Sequence, residues 1–381
     1  MSAGKHGLGG IRQIARLARS VLGARLARWG LSPPPRPINV TFSVTTRCQS
    51  RCRTCLIWKH PPRPELSIAE IEGLLGSIGW TYFFNISGGE PYLRDDLPDI
   101  VGAACRILDP AVIHIPTNAL MPRRIGELTQ RCLEQMSRCG SGATLTVKPS
   151  FDGVGSLHDE IRGVPGNFEK LCETMDVLLG LAKLSTSLQV GLGTVVSTLN
   201  IDRLQEIIDY AASRWNVSTY INEIAEERSE FHNTGTGITP SGPDYRGVME
   251  IFKSSVRSEL RGMGLLSRLT TAMRIVYYDL APRIVSEGSQ AIPCYAGLLN
   301  VHINSDGDIW PCAVLGYEGS MGTVGRDGSF GEIWRSLQAR DRRRSIRRGE
   351  CACPLANQAY SNILMSPLSL ARALMIAVLG R

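Results

Sequence analysis

From Ile38 onward the chain alternates short β-rich apolar runs with longer stretches in which apolar residues recur every three or four positions. That is the pattern of strands alternating with amphipathic helices. The runs predict strands at 38–44, 82–86, 112–116, 144–151, 188–196 and 218–223. The helical periodicity falls at 67–78, 97–108, 123–138, 167–184 and 201–215, the first opened by Ser67 and Glu70 at capping-box spacing. Repeated strand–helix units build a parallel sheet. Six units fall short of the eight that close a full barrel, so the expected fold is α/β, a partial (β/α)6 barrel spanning residues 38–240.

The flanks have a different texture. Residues 1–37 hold no Asp or Glu, and Leu8, Ile11, Ile14, Leu17, Val21 and Leu22 recur at helical spacing between arginines. This predicts a basic amphipathic helix, ended by Pro33, Pro34, Pro35 and Pro37 as a stiff extended connector. After the core, residues 224–290 read as helical with a break at 234–243, so 241–290 is a helical connector. Residues 291–357 form a small separate module of short strands, 298–304 and 309–314, around the turn Ser305, Asp306 and Gly307. An arginine run from Arg340 to Arg348 reads as a solvated face, and 358–381 contains a last apolar helix at 368–379.

With 381 residues, 43% of them hydrophobic, and a net charge of +7, the chain is globular and not a general nucleic-acid binder. No stretch approaches the ~20 apolar residues of a membrane span. Arg12, Arg16, Arg19, Arg25 and Arg28 interrupt any secretory signal. The eleven cysteines are odd in number and clustered, which points to metal in a reducing compartment. The expected location is cytoplasmic. The Arg-rich helix with Trp29, beside the C-terminal helix, also suggests peripheral contact with the inner face of a membrane. Packing of both helices on the barrel is the stronger reading, and a mitochondrial transit peptide is the weakest.

Cys48, Cys52 and Cys55 follow the first expected strand within one loop. Three thiolates suit soft metals and can hold three irons of a [4Fe–4S] cubane, leaving the fourth open. Ser87, Gly88, Gly89, Glu90 and Pro91 follow the second strand. The C-x3-C-x2-C spacing with this glycine-rich segment one unit later resembles the radical S-adenosylmethionine (SAM) superfamily. The resemblance implies that SAM chelates the open iron and is cleaved reductively to a 5′-deoxyadenosyl radical, with electrons from an external low-potential donor such as flavodoxin or ferredoxin. It also implies SAM contacts from Gly88, Gly89, Glu90, Pro91, Asn118, Ser150, Asp152 and Thr194, placed around the ends of successive strands. Thr54 departs from the family, which often has an aromatic residue there, and Leu56, Ile57 or Trp58 are the substitutes for an adenine contact. The rival reading of the loop is structural zinc, with His60 as fourth ligand. Standing alone, Gly88-Gly89 would be an ordinary βα turn and Glu90 a helix N-terminal acid.

Cys294, Cys312, Cys351 and Cys353, with Gly307 five positions before Cys312, offer four thiolates to zinc or a fully ligated cubane. Their arrangement resembles the twitch module, a shortened SPASM domain, which implies one auxiliary [4Fe–4S] cluster. Three cysteines plus a substrate or other side chain is also open. Cys105, Cys132, Cys139 and Cys172 lie on expected helices and read as small buried hydrophobes. Together these features imply a radical SAM enzyme that oxidises or modifies a sugar, lipid-linked or other small-molecule substrate. Only 37 residues precede Ile38, short for a leader-recognition domain, so a peptide-modifying maturase is the alternative. A zinc-stabilised binding protein is the rival of another class. His158, Asp159 and Glu223 lie near expected strand ends and read as exposed loop charges; no catalytic acid or base is identified.

Overall fold

The computed structural model describes residues 3–260 and 264–379. After helix α1 (Ala3–Arg28) the chain enters β1 (Asn39–Thr45), buried at every position. Val40, Phe42 and Val44 alternate with Thr41, Ser43 and Thr45, and a strand sends successive side chains to opposite faces. The apolar set joins the core of helices α2 (Ile68–Ile78), α3 (Leu97–Ile107) and α4 (Pro122–Arg138) through Ile71, Leu74, Ile100 and Ile125. The hydroxyl set faces the polar inside of the sheet, where Ser43 Oγ lies 2.9 Å from His302 Nε2 and Asn357 Nδ2 donates to Thr41 Oγ1 at 3.0 Å.

Strands β2 (Phe83–Gly88), β3 (Val112–Thr117), β4 (Thr144–Pro149), β5 (Leu188–Val196) and β6 (Thr219–Ile224) extend from one side of β1, each parallel to its neighbour. Helices α5 (Ser156–Arg162), α6 (Asn167–Leu184) and α7 (Leu204–Arg214) complete the units. The architecture is the expected partial barrel, and the Ser67–Glu70 capping box opens α2. Helix α5 was not expected.

Helices α8 (Gly242–Glu259) and α9 (Leu265–Glu287) lead back to β7 (Asn300–Ile303), which pairs in parallel with β1 from Asn39↔Asn300 to Phe42↔Ile303. Strands β8 (Asp308–Trp310) and β9 (Gly322–Thr323) continue antiparallel, giving one nine-stranded sheet in the order β6-β5-β4-β3-β2-β1-β7-β8-β9. Residues 291–357, expected as a small module after the connector, add their strands to the same sheet. A partial barrel leaves one side of β1 with unpaired N–H and C=O groups, and β7 satisfies them. Helices α10 (Phe330–Arg335), α11 (Leu337–Arg348), α12 (Ala356–Met365) and α13 (Pro367–Leu379) close the chain. Helix α12 was not expected; Gly380 and Arg381, at the end of the expected last helix, lie outside the described residues.

Helix α1 packs on the protein. Ala24 is fully buried, and Leu17, Val21 and Ala27 cover Ile38, Tyr295, Leu298, Leu299 and Met365. Arg28 Nη1 donates to the carbonyl of Cys294, and its guanidinium lies 4.8 Å over the Tyr295 ring. A variant beginning at Pro33 should therefore lose roughly 3 kcal/mol of stability, from re-exposing what Leu17 and Val21 cover at ~1.5 kcal/mol each. Urea unfolding checks this, with iron content as a second reading because Arg28 anchors the Cys294 backbone. An unchanged midpoint would mean the helix holds nothing in place. Ile14, Leu22 and Trp29 remain exposed on its outer side. No single helix among the described residues is long and apolar enough to cross a membrane.

Candidate active site

The C-terminal ends of the parallel strands, where βα proteins place their chemistry, converge on the loop carrying Cys48, Cys52 and Cys55. Gly89 N donates to Thr45 O at 2.8 Å and Glu90 N to Arg47 O at 2.9 Å, tying the segment after β2 to the cysteine loop. A Cβ on Gly89 would lie 2.2 Å from Arg47 O and 3.0 Å from Cys48 Cβ, so only glycine permits this approach. Gly88, at φ +132, is held in a region costly to side chains. Asn118 Nδ2 reaches Cys48 Sγ at 3.6 Å. Burial, then Glu90 and Cys52, pushes the Cys48 thiol up to about 11, and burial, then Cys52, pushes Cys55 to about 12.

Glu90 is fully buried. Its Oε1 accepts from Tyr92 N (3.2 Å) and Thr117 Oγ1 (3.0 Å), and its Oε2 accepts from Asn118 N at 2.7 Å. It thus fastens the β2 rim to the β3 rim. Pro91 is buried beside it, and Ser150, half-buried, bridges to Gly193. Asp152 and Thr194, expected as direct cofactor contacts, are placed beneath the rim instead. The Asp152 carboxylate is taken by Arg162 Nη1 at 3.0 Å and Val195 N at 2.8 Å, and Thr194 Oγ1 by Phe151 O and Tyr220 Oη. Among the adenine substitutes, Trp58 is tied to the cysteine loop, its Nε1 donating to Cys52 O at 3.4 Å.

Arg162 is the residue that sequence reasoning missed. At the end of α5 its carbonyl accepts from Arg51 N (3.0 Å) and Ser50 Oγ (3.2 Å), and Ile161 O accepts from Arg53 N at 2.9 Å. The cysteine loop is thus docked on α5. Gly163, at φ +67, lies so close that a Cβ would meet Arg51 O at 2.2 Å. The buried guanidinium favours the Cys48 thiolate, opposing the desolvation that dominates there. Gly153 and Gly163 were the only signals of this packing in the sequence.

His158 and Asp159 are not exposed loop charges. His158 is fully buried; its Nδ1 accepts from Asp152 N at 3.2 Å, which leaves Nε2 to donate to Asn167 Oδ1 at 2.7 Å. Asp159 accepts from Gly166 N and Phe168 N at 2.6 and 2.7 Å, capping α6 from a distance. Burial, then Arg162, pushes His158 down to about 4. A depressed histidine stabilises the fold fully above its unfolded value near 6.5 and loses that contribution as pH falls toward 4. The wild type should therefore lose about 3 kcal/mol across this window that a His158→Gln variant does not, measured as the difference between their urea-unfolding free energies at each pH. Parallel pH profiles would exclude the buried neutral imidazole.

On the β7 side, Cys294, Cys312 and Cys351 share one cluster with Ala296 and Ile346. Burial pushes Cys312 up to about 12 and Cys351 to about 11, with Cys294 adding to both. Cys353 is buried and feels Glu226, Cys312 and Cys294. Gly307, at φ +83, forms the β7–β8 turn, its N donating to Asn304 O at 2.9 Å. Arg343, expected on a solvated face, instead donates to Gly297 O at 2.5 Å and Trp334 O at 2.6 Å. His60, the fourth ligand of the zinc alternative, is exposed and stacks on His232 at 3.6 Å.

Residues 42–218 match the radical SAM superfamily and 294–354 the SPASM iron–sulfur cluster-binding domain. The chain belongs to the radical SAM superfamily and carries a C-terminal SPASM module. These domains imply a [4Fe–4S] cluster with SAM, and auxiliary iron–sulfur. Among known proteins, it is 23% identical over 335 residues to the antilisterial bacteriocin subtilosin biosynthesis protein AlbA of Bacillus subtilis, covering 85% of this chain and 65% of that one. It is 24% identical to the AdoMet-dependent heme synthase of Oleidesulfovibrio alaskensis, over 78% of this chain and 74% of that one. Streptococcus suis SuiB bound to S-adenosylmethionine shares the fold at a TM-score of 0.57 and 16% identity, covering 79% of this chain and 66% of that one. SuiB bound to its precursor peptide SuiA matches at 0.56. The chain thus spans about two thirds of the length of AlbA and SuiB.

Proposed function

We propose that this protein is a peptide-modifying radical SAM maturase in which Cys48, Cys52 and Cys55 hold the SAM-binding cluster and Cys294, Cys312, Cys351 and Cys353 an auxiliary one. The first three share one loop after β1, and Cys294, Cys312 and Cys351 pack in one cluster; thiolates are the donors that suit iron–sulfur ligation. The glycine cradle at Gly88-Gly89 leaves room for backbone to approach a ligand beside Cys48. When bound, the cluster and SAM supply a carbon-centred radical able to abstract hydrogen from substrate. The chain's own part is positional: Glu90 ties two rims together, Asn118 reaches the Cys48 sulfur, and α5 fixes the loop.

The observation that carries the peptide reading is the similarity to AlbA across both modules, over 85% of this chain. It displaces the expectation of a sugar or lipid-linked substrate. The similarity to a heme synthase favours a tetrapyrrole as the second reading. Under anaerobic reduction, peptides encoded by short reading frames beside the gene should accelerate 5′-deoxyadenosine release and emerge with an altered mass. Acceleration by a tetrapyrrole or a sugar, with no response to any such peptide, would overturn the maturase reading.

A further inference from the structure

The end of β6 and the loop after it carry Glu223, Glu226, Arg228 and Glu230 between the two cysteine sets. Glu230 is felt by Cys55, on the β1 loop, and Glu226 by Cys351 and Cys353, on the far side. From β7, His302 faces the same loop, its Nε2 3.5 Å from Glu230 Oε1 and 2.9 Å from Ser43 Oγ. The charges do not balance. Three carboxyl groups meet one guanidinium, Arg228, whose Nη1 lies 3.5 Å from Glu230 Oε2; burial pushes Glu226 up to about 7, so that a cation beside it would draw off its proton, and disfavours a charged His302. Glu223 Oε1 accepts from Ala356 N at 3.2 Å, and its charge is shared with the same Arg228.

Buried polar atoms are nearly always hydrogen-bonded, yet here four are not. Glu226 Oε2, Arg228 Nε, Glu230 Oε2 and His302 Nδ1 are all buried without a hydrogen bond. The Arg228 and His302 side chains are only 10% and 5% exposed. Each such atom costs ~1–3 kcal/mol if left unmade. Three of them sit on the loop after β6 and the fourth faces it from β7, which marks a place built to be filled, and the surplus negative charge sets the sign of what fills it.

We propose that Glu226 and Glu230 form a subsite for a positively charged group of the substrate, a primary ammonium or guanidinium, seated between the two cysteine sets. The inference rests on the maturase reading in that a peptide supplies such a group as lysine, arginine or its own N-terminus. Arg228 stands behind the carboxylates and keeps the site from binding a second cation, while His302 and Ser43 close the β1 side.

The test uses full-length enzyme reconstituted with iron and sulfide, with Nα-acetyl-lysine methylamide and Nα-acetyl-norleucine methylamide as probes, by titration calorimetry. The lysine probe should bind, and the norleucine probe should bind at least tenfold more weakly. A charge-assisted hydrogen bond is worth ~1.5–3 kcal/mol, so Glu226→Gln should weaken the lysine probe roughly 10- to 100-fold. Glu226→Asp should restore most of the binding, and Glu226→Lys, which places an ammonium in the pocket, should abolish it. Unchanged iron content and circular dichroism show that the variants are folded. Equal binding of the two probes, no binding of either, or indifference to Glu226→Gln overturns the subsite. Peptide-stimulated 5′-deoxyadenosine release, measured alongside, separates the two readings: stimulation without lysine-probe binding removes the subsite alone, and lysine-probe binding without stimulation removes the peptide reading alone.

Discussion

Replacing Cys48, Cys52 and Cys55 together by Ala should abolish 5′-deoxyadenosine release from the reduced protein, with or without substrate. A cubane with three protein ligands has no other sulfur to turn to: no further cysteine lies between Cys55 and Cys105, which is buried in the helix-facing core. The fold should survive, because exchanging a buried thiol for a methyl removes a group that burial already disfavours as a thiolate. Iron should fall by about four per chain and no further, since a cubane holds four and the second cysteine set flanks β7, away from the β1 loop. Cys105→Ala is the control and should change neither reading. Retention of all the iron in the triple variant, or release of 5′-deoxyadenosine from it, would remove these residues from the site.

The strands and outer helices were legible in the sequence because each obeys one period throughout: β5 and α6 fall at the expected residues, 188–196 and 167–184. The cysteine spacing and the double glycine were legible because their chemistry is local. What was not legible is what depends on the far end of the chain. β7 is a four-residue strand, too short to reveal a period, and only its pairing with β1 shows that the auxiliary segment completes the same sheet. Helix α5 is seven residues long, and nothing local shows that it carries the floor of the cysteine loop. Asp152 drew notice as a cofactor contact because it follows a strand, a position shared by ligands and by the struts beneath them. Helix α1 carries apolar residues on both sides, Leu17 and Val21 packed but Ile14 and Leu22 exposed, so its pattern alone could not say which side the protein takes.

The Arg162–Asp152 pair should prove the strongest single electrostatic element beneath the site. The two side chains are 10% and 0% exposed and 3.0 Å apart, a setting in which removing one partner leaves the other charged and dry, at a cost of ~3–5 kcal/mol. Arg162→Met should therefore destabilise the protein by that amount, and Asp152→Asn by a similar one. The double variant should lose less than the sum, because no buried charge is left alone in it. Urea unfolding of the four proteins measures the coupling, and additive losses would show that the pair is not coupled. A purely structural role would stop there. Because the Arg162 charge also favours the Cys48 thiolate, the metal-free Arg162→Met variant should be alkylated by iodoacetamide at Cys48 more slowly than the wild type at pH 8 to 9, where the reaction follows the thiolate fraction. Faster alkylation would instead mean that the loop had come away from α5, since the Arg51 and Ser50 hydrogen bonds to the Arg162 carbonyl do not need the guanidinium and should survive the substitution.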